Sequence, residues 1–569
     1  MEINKSILKN ILNNDYNDYQ KLIFKIFKKF KIDNEKDNKT YNEVCYPKSF
    51  NHTKPQLFLS NYVKNMPTNG ILLIHGIGSG KTCSAIMIAE SIKKTKKIMI
   101  VSPASLIGNM VFELLSKCCG NEYITEEDRN EIKKLSPKSK EYKEIYNKAL
   151  KKINKFYTII SFNKFVQLSQ KNKIKLNDTL LIIDEVQNLL NENGTFYQSF
   201  KKEIDKSNSC KVVAMSGTPL VNHPKDIALI INLLKPINPF NLDTFDETFL
   251  KKNDDNVNNS FEIYDMKNVE LFREMINGYV SYFKGSPPKY YPKKIVKIVE
   301  CPMSKYQYSM YQIVMNKENT TAITTGDIFK MNNDFYIGSR MISNMSFEKK
   351  LIGLKGYNTI SKKTLNNIKT YSCKFDKLLK SIKKCKGKVF IYSNFREYGG
   401  IQSLIKLLEL SGYKNYVDND VGTNRFAIWS GDESQTLKSK IREVYNNVNN
   451  IDGSKIKIIL GSPSIKEGVT LLAVKECHII DYYWNMSRIE QIVGRVVRYC
   501  SHRQVPTNER QVKIFFYVAT APKTKTKNNK NREQTIDQKI MEIAYYKMNV
   551  LSQFMKELKK CAIDKLLFQ

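Results

Sequence analysis

The sequence has 569 residues, too many for one compact core, so two to four domains are expected. Its formal net charge of +36 favours a polyanionic partner, nucleic acid before an anionic membrane, although the heavy use of Lys, Asn and Ile, as in an AT-rich genome, is a competing explanation for part of that charge. The eleven cysteines contain no C-x-x-C pair, which argues against a zinc site or a disulfide framework and favours reduced thiols, and no apolar run reaches the roughly 18 residues of a membrane span.

The first half of the chain predicts an α/β domain. Residues 1–48 should form a helical extension, and they lack the apolar core of a signal peptide. Within residues 49–235, short continuous apolar runs alternate with charged helical stretches, which is typical of buried parallel strands in βαβ units. The lysine-rich segment 124–155 predicts a solvated helical excursion. The strand candidates are ILLIH (71–75), KIMIVSP (97–103), FYTIISF (156–162), TLLIIDE (179–185) and KVVAMSG (211–217).

A second α/β domain is expected over residues 371–520. Between the two domains, residues 236–370 lack the strand–helix rhythm and predict an inserted or linking module that is mostly helical. Residues 521–569 begin with a polar segment, KTKTKNNKNRE (523–533), expected to be a mobile loop, and close with a helix pair. The second series of strand candidates is GKVFIYS (387–393), FAIWSG (426–431), KIKIILGS (455–462), ECHIIDYY (476–483) and VKIFFYVA (512–519).

The stretch LLIHGIGSGKTCSAI (72–86) predicts a phosphate-binding loop between a strand and a helix. Glycines let backbone N–H groups turn toward an anion, and the following helix adds its positive end. Lys81 would reach the β- and γ-phosphates of a nucleoside triphosphate, and Thr82 would hold Mg²⁺. The strict pattern has a glycine where this chain has His75, so Gly76 would supply the turn. The nucleotide-binding candidates are Gly76, Gly78, Ser79, Gly80, Lys81 and Thr82.

An acidic pair follows the strand TLLII, at the edge of a parallel sheet where ligands collect. Asp184 could hold Mg²⁺ directly or through water, and Glu185 could polarise the water that attacks the γ-phosphate. The competing interpretation is a pair that only caps the next helix. Because a phosphate loop lies about one hundred residues upstream, the catalytic interpretation is preferred.

Positive charge for the transition state is expected from the segment WNMSRIEQIVGRVVRYCSH. Gln491, Arg495 and Arg498 stand at i, i+4 and i+7, which predicts one face of a helix. Arginines aimed at a phosphoryl group raise hydrolysis rates by factors on the order of 10³ or more. The alternative is a basic surface stripe, which Arg488 fits equally well.

Taken in order, these segments resemble the motifs of superfamily 2 helicases and DNA-stimulated ATPases. A narrower resemblance is to the branch from large cytoplasmic DNA viruses. That branch includes poxvirus nucleoside triphosphatase I, the small subunit of the poxvirus early transcription factor and linear-plasmid helicases. The segments that carry this resemblance are SGTPLVNHP, VECPMSKYQYSMY (299–311), SRMISN (339–344) and the C-terminal AIDKLLF. The motif matches are HGIGSGKT, SPASL (102–106), DEVQ (184–187), SGTPLVN (216–222), KVFIYSNF (388–395), SIKEGVTL (464–471) and QIVGRVVR (491–498).

The resemblance implies two tandem RecA-like domains with parallel sheets, which bind ATP and Mg²⁺ between them. Gln56 occupies the position of an adenine-contacting glutamine, and Arg495 and Arg498 would act from the second domain. Gln187 departs from the His or Asp of many relatives, so the coupling of hydrolysis to movement is in question while the chemistry is retained. Ser216, Thr218 and Gly468 would transmit the closure of the two domains to the bound nucleic acid.

Nucleic acid is the expected partner, DNA before RNA, held through its phosphates by SPASL, residues near Ser393 and the segment around Gly468. Trp484 is a candidate for stacking on bases, although packing is the stronger interpretation. The expected function is a helicase or translocase in viral transcription, in the cytoplasm, the viral factory or the virion. The alternatives are an initiation-factor subunit acting with a second subunit, a termination ATPase that works with the viral RNA polymerase, and a binding protein with an inactive nucleotide site.

Overall fold

A computed structural model describes residues 15–32, 39–76, 78–132, 134–135, 139–253, 261–321, 327–330, 335–419, 421–466, 469–522 and 534–568. The chain divides into two compact units. The first comprises residues 1–253, 264–286 and 549–569, and the second comprises residues 254–263 and 287–548. The predicted loop 523–533 lies outside the described residues.

The first unit is built on a six-stranded parallel sheet in the order β3-β2-β4-β5-β1-β8. All five strands predicted in this half are confirmed, and β1, β4 and β5 are buried at their central positions, which explains their continuous apolar runs. A separate antiparallel pair joins β6 to β7. The strands are β1 Gly70–His75, β2 Lys97–Ser102, β3 Tyr157–Ser161, β4 Thr179–Ile183, β5 Lys211–Ser216, β6 Leu250–Lys252, β7 Tyr264–Met266 and β8 Val280–Phe283.

Helices connect and cover these strands. Within the segment 124–155 the described residues form two helices, Glu126–Ile132 and Lys140–Ile153, as predicted, and the second buries only Ala149 and Ile153. The helices of the first unit are Tyr16–Phe27, Tyr41–Cys45, Lys54–Asn65, Lys81–Ile92, Ile107–Leu114, Glu126–Ile132, Lys140–Ile153, Phe162–Gln170, Thr195–Asp205, Lys225–Leu233, Phe245–Phe249, Val269–Ile276 and Lys565–Phe568.

The second unit contains a seven-stranded parallel sheet in the order β11-β12-β13-β10-β14-β15-β9. The five predicted strands are again present. The strands are β9 Lys293–Pro302, β10 Lys388–Tyr392, β11 Lys414–Asn415, β12 Arg425–Trp429, β13 Ile458–Gly461, β14 Val474–Ile479 and β15 Gln511–Thr520. The helices are Lys305–Thr321, Ile337–Asn344, Gly353–Tyr357, Lys362–Asn366, Ile368–Tyr371, Cys373–Lys384, Ile401–Leu410, Gln435–Asn446 and Met486–Val493, and helix Ile536–Lys560 continues past Met548, where this unit ends.

Three features differ from the sequence predictions. Residues 236–370 do not form one module, because β8 pairs with β1 in the first unit while β9 pairs with β15 in the second. The C-terminal helix pair is one 25-residue helix, Ile536–Lys560, followed by a single turn. The expectation of reduced thiols is wrong for Cys83 and Cys118, which are joined by a disulfide because the fold brings together residues 35 apart in sequence.

The C-terminal segment packs against β8. Ile563 N–H donates to the Val280 carbonyl, and the Asp564 carboxylate accepts hydrogen bonds from Tyr282 N–H (3.0 Å) and the Ser281 hydroxyl. Phe568 packs edge-on against Phe58 of helix Lys54–Asn65 and against Phe283 of β8. The segment AIDKLLF therefore supports the strand that lies beside β1.

Asp564 gives the first unit a predictable pH dependence. Burial raises the pKa of this carboxyl to about 7, against the opposing effect of its hydrogen bonds to Ser281 and Tyr282. The raised pKa favours the protonated acid in the folded state, so the stabilisation is complete below the unfolded pKa near 4 and is lost as the pH rises to about 7. The advantage of Asp564→Asn in thermal unfolding temperature should therefore grow from about pH 4 to about pH 7 and then stay constant. Exposed Asp18→Asn is the control, and an advantage of Asp564→Asn that is independent of pH would contradict the assignment.

Candidate active site

The candidate phosphate loop lies between β1 and helix Lys81–Ile92, as predicted. Gly80 caps the helix with a φ of 83°, and Gly78 has a φ of 80°, conformations that glycine adopts without strain. Gly76 N–H donates to the Phe283 carbonyl, and a Cβ added at Gly76 would lie 2.3 Å from the Lys284 carbonyl oxygen. The close approach of β8 therefore requires a glycine at position 76.

His75 is the last residue of β1, at the position where the strict pattern has glycine. Its side chain is buried, and its Nε2 lies 3.5 Å from the Ser281 hydroxyl. Burial, with a smaller contribution from Lys81, lowers the pKa of His75 to about 3. The imidazole is consequently neutral at physiological pH, so it adds no charge next to the loop.

The loop contains groups suited to an anion. The Ser79 hydroxyl is buried and has no hydrogen-bond partner among the residues that the structure describes, which is costly unless a ligand supplies one. Lys81 is the first residue of the helix, and its Nζ lies 3.8 Å from Glu185 Oε1. Thr82 follows it on the same first turn. An orphaned hydroxyl, a lysine and a helix N-terminus together fit a triphosphate.

The acidic pair lies directly after β4. Asp184 is buried, and one of its carboxylate oxygens accepts a hydrogen bond from Glu185 N–H (3.0 Å). Glu185 has a φ of 51°, which places a non-glycine residue in the left-handed region. Such strain persists only where the surroundings hold it, and it is frequent at functional sites. The ion pair with Lys81 brings the acidic pair to the phosphate loop, as the sequence interpretation required.

Gln187 has a role that the sequence interpretation did not foresee. Its amide nitrogen donates to Glu185 Oε2 (2.6 Å), and its amide oxygen accepts from the Ser216 hydroxyl (2.7 Å). Ser216 in turn accepts from Thr218 N–H (3.0 Å). Since β4 and β5 are neighbours in the sheet, this series of hydrogen bonds connects the segment after β5 to the glutamate after β4.

The Gln56 side chain lies next to the phosphate loop. Its amide oxygen accepts from Thr53 N–H (2.8 Å), which caps helix Lys54–Asn65. Its amide nitrogen lies 3.4 Å from the Gly80 carbonyl and 2.8 Å from where a Cβ of Gly80 would stand. The glutamine therefore couples this helix to the loop, and its predicted contact with adenine stays a prediction.

In the second unit, the prediction that Gln491, Arg495 and Arg498 lie on one face of a helix is wrong. Helix Met486–Val493 ends before Arg495 and Arg498, since Arg495 N–H donates to the Ile492 carbonyl, three residues back, in place of the helical partner four residues back. Of the three residues predicted on that face, only Gln491 is helical.

The two arginines are nevertheless brought together. The Val469 carbonyl accepts from Arg495 Nη1 (3.3 Å) and Arg498 Nη1 (3.5 Å), and Arg498 also contacts the Thr470 hydroxyl. Arg495 Nε donates to the Gln491 carbonyl (3.1 Å). The segment SIKEGVTL thus contacts QIVGRVVR, although Gly468 itself lies outside the described residues.

The candidate nucleic-acid residues of the second unit are held by a buried network. Asp481 accepts from the Ser393 hydroxyl (2.5 Å) and from Asn394 N–H (2.7 Å), which fixes the turn after β10. Trp484 is 2% exposed, stacks on Tyr483 and lies 5.1 Å from the Arg340 guanidinium. The packing interpretation of Trp484 therefore accounts for its position, and stacking on bases has no exposed ring face to use.

Comparison with known proteins identifies the family. Residues 31–353 match the SNF2-related domain, and residues 373–500 match the helicase conserved C-terminal domain. The chain belongs to the SNF2-related helicases of superfamily 2. These helicases are ATP-dependent enzymes, so the resemblance seen in the motifs is confirmed, as are the two α/β domains of the RecA-like type. Helicase domains also imply nucleic-acid binding.

Relatives of this SNF2-related helicase come from large DNA viruses. A protein of Acanthamoeba polyphaga mimivirus, "Putative ATP-dependent RNA helicase R563", is 43% identical over 568 residues, which cover 98% of this chain and 96% of the relative. The "Termination factor NPH-I homolog" of African swine fever virus is 24% identical over 572 residues, which cover 87% of this chain and 76% of the relative. Within the described residues, no helix combines the length and apolarity needed to cross a bilayer.

Proposed function

We propose that this SNF2-related helicase is a nucleic-acid-stimulated ATPase that moves on DNA, or on RNA as the weaker alternative, in viral transcription. The observation that carries the proposal is the phosphate loop, where the buried Ser79 hydroxyl has no hydrogen-bond partner among the described residues and the Lys81 ammonium lies beside Glu185. A site that only capped a helix would need neither the lysine nor the strained glutamate.

The first unit would bind the triphosphate and activate water. Backbone N–H groups from Gly76 to Gly80 and the Lys81 ammonium would bind the phosphates. Thr82 and Asp184 would hold Mg²⁺, which supplies charge neutralisation and orientation when bound. Glu185 would accept a proton from the attacking water, and Gln187 would hold the carboxylate in place for that transfer.

The role of Gln187 can be tested separately. Gln187→Leu should lower the turnover number for ATP about tenfold and change KM by less than about threefold, because the amide orients Glu185 and does not contact nucleotide. Exposed Gln198→Leu serves as the control in steady-state phosphate-release assays. An unchanged turnover number would show that Glu185 needs no orientation by this amide.

Charge stabilisation in the transition state would come from Gln491, Arg495 and Arg498 of the second unit. Their support is the family match and the contacts that gather both guanidiniums on the Val469 carbonyl. ATP binding would then favour a closed state of the two domains, and hydrolysis would release it. Ser216 and Gln187 would connect that change to Glu185.

The nucleic-acid partner can be identified by rate measurements. The net charge of +36 favours contacts to phosphates, which weaken as salt increases. ATP hydrolysis should therefore be stimulated by single-stranded DNA, duplex DNA or RNA, and the stimulation should decline with salt while the basal rate changes little. Equal rates with and without every nucleic acid would contradict the proposal.

A second candidate function is supported by the relatives named termination factor homologs. In that case the chain would act in the cytoplasm, in viral factories or virions, on a transcription complex, with the viral RNA polymerase or a second factor subunit as partner. Strand separation by the isolated chain would favour the helicase. Release of transcripts only in the presence of polymerase would favour the termination factor, and promoter binding only with a second subunit would favour an initiation factor.

A further inference from the structure

Three side chains with sulfur or imidazole nitrogen atoms, which can bind metal ions, meet near the phosphate loop. Cys83 is the third residue of helix Lys81–Ile92, Cys118 lies in the turn Lys117–Cys119, and His52 precedes helix Lys54–Asn65. The two sulfurs form a disulfide with Cα atoms 5.9 Å apart, and the His52 Nε2 lies 2.8 Å from the Cys118 carbonyl oxygen. All three ligand atoms lie within 4.8 Å of one another.

Reduction would convert this cluster into a ligand set. A dithiol reductant transfers two electrons and two protons to the disulfide, which gives two cysteine thiols and one oxidised reductant. Both sulfurs are almost fully buried, and burial opposes free thiolates. A divalent cation that displaces the two thiol protons supplies the compensating positive charge.

We propose that His52, Cys83 and Cys118 form, in the reduced protein, a binding site for a thiophilic divalent cation of the Zn²⁺ class. Two thiolates and one imidazole are ligands that zinc prefers, and three protein ligands leave a fourth position for water. His52 is only half-buried, so that position has access to solvent on its side. The absence of a C-x-x-C pair hid the site in the sequence, because the three ligands come from separate segments.

The site would connect three segments, two of which lie next to the nucleotide loop. Cys83 follows Thr82 directly, and His52 lies four residues before Gln56, whose amide reaches Gly80. The disulfide joins only the segments of Cys83 and Cys118, whereas the cation would also bind the segment of His52. Exchange between the two states would therefore change how the segment ahead of Gln56 is attached to the phosphate-loop helix. The cation site itself does not depend on the proposed ATPase activity.

Cobalt binding tests the site directly. The full chain is reduced with a phosphine, freed of metal and titrated with Co²⁺ without oxygen, and a thiolate-to-cobalt charge-transfer band is measured. One equivalent should bind and be displaced by Zn²⁺. Cys83→Ser and Cys118→Ser should abolish the band, and His52→Ala should weaken affinity by about tenfold or more. Cys119→Ser, whose thiol neighbours the cluster without belonging to it, should retain the band.

The oxidised chain is a control that needs no substitution. With the disulfide intact, the band should be absent, since neither sulfur can ligate as a thiolate. The proposal is overturned if the reduced protein binds no stoichiometric cobalt, if the oxidised protein binds it equally, or if Cys83→Ser leaves the band unchanged. Circular dichroism of each variant verifies that a lost band is not lost folding.

Discussion

Lys81→Ala is expected to abolish ATP hydrolysis, with the turnover number reduced by a factor on the order of 10³ or more. The side chain is 15% exposed, begins the helix after the phosphate loop, and places its ammonium 3.8 Å from Glu185. In the proposed mechanism it transfers from that carboxylate to the β- and γ-phosphates when ATP binds. Alanine removes the positive charge of the ammonium at the place where negative charge develops on the phosphoryl oxygens during transfer.

The variant should fold, because alanine is a strong helix former at this position. Phosphate release and binding of a fluorescent ATP analogue would be measured together with thermal unfolding. Lys94→Ala, near the other end of the same helix and exposed, is the matched control. Wild-type hydrolysis by a folded Lys81→Ala variant would refute the assignment of the phosphate loop.

Glu185→Gln should separate binding from turnover. Loss of the general base is expected to lower the turnover number by about 10²- to 10⁴-fold while ATP still binds. The amide oxygen of glutamine can still accept the hydrogen bond from Gln187, so the local geometry is kept. Because hydrolysis would be blocked after closure, the variant should stay bound to nucleic acid longer in the presence of ATP.

This prediction is tested by dissociation from labelled DNA with ATP, with ADP and without nucleotide. Glu192→Gln, in the loop that follows and paired with Lys225, is the control for the loss of a surface carboxylate. If Glu185→Gln fails to bind ATP at all, the glutamate has a structural role. If it hydrolyses ATP at the wild-type rate, another group is the base.

Much of the fold follows from sequence because buried parallel strands leave continuous apolar runs. The runs before His75 and before Asp184 predicted that the phosphate loop and the acidic pair lie at one edge of one sheet, and in the structure Lys81 and Glu185 form an ion pair there. By contrast, β9 has the sequence KKIVKIVECP, in which Val296 and Ile298 are exposed on either side of a lysine, so it has no buried run to detect. β8 is only four residues long.

The errors at the site have local causes. A spacing of i, i+4 and i+7 predicted one helical face, but the helix ends at Val493 and both arginines donate to the Val469 carbonyl instead. The contact of Gln187 with Ser216 depends on which strands are neighbours, which no single motif encodes. The disulfide between Cys83 and Cys118 depends likewise on a distant turn.

The left-handed backbone at Glu185 has a consequence for anyone who engineers this chain. Glycine would relieve that strain while it removes the carboxylate, so Glu185→Gly is a substitution that the fold would accept more readily than the natural residue. Directed evolution that selects only for soluble yield or heat resistance would therefore enrich inactive proteins at this position, and each round of such a selection needs a hydrolysis assay beside it.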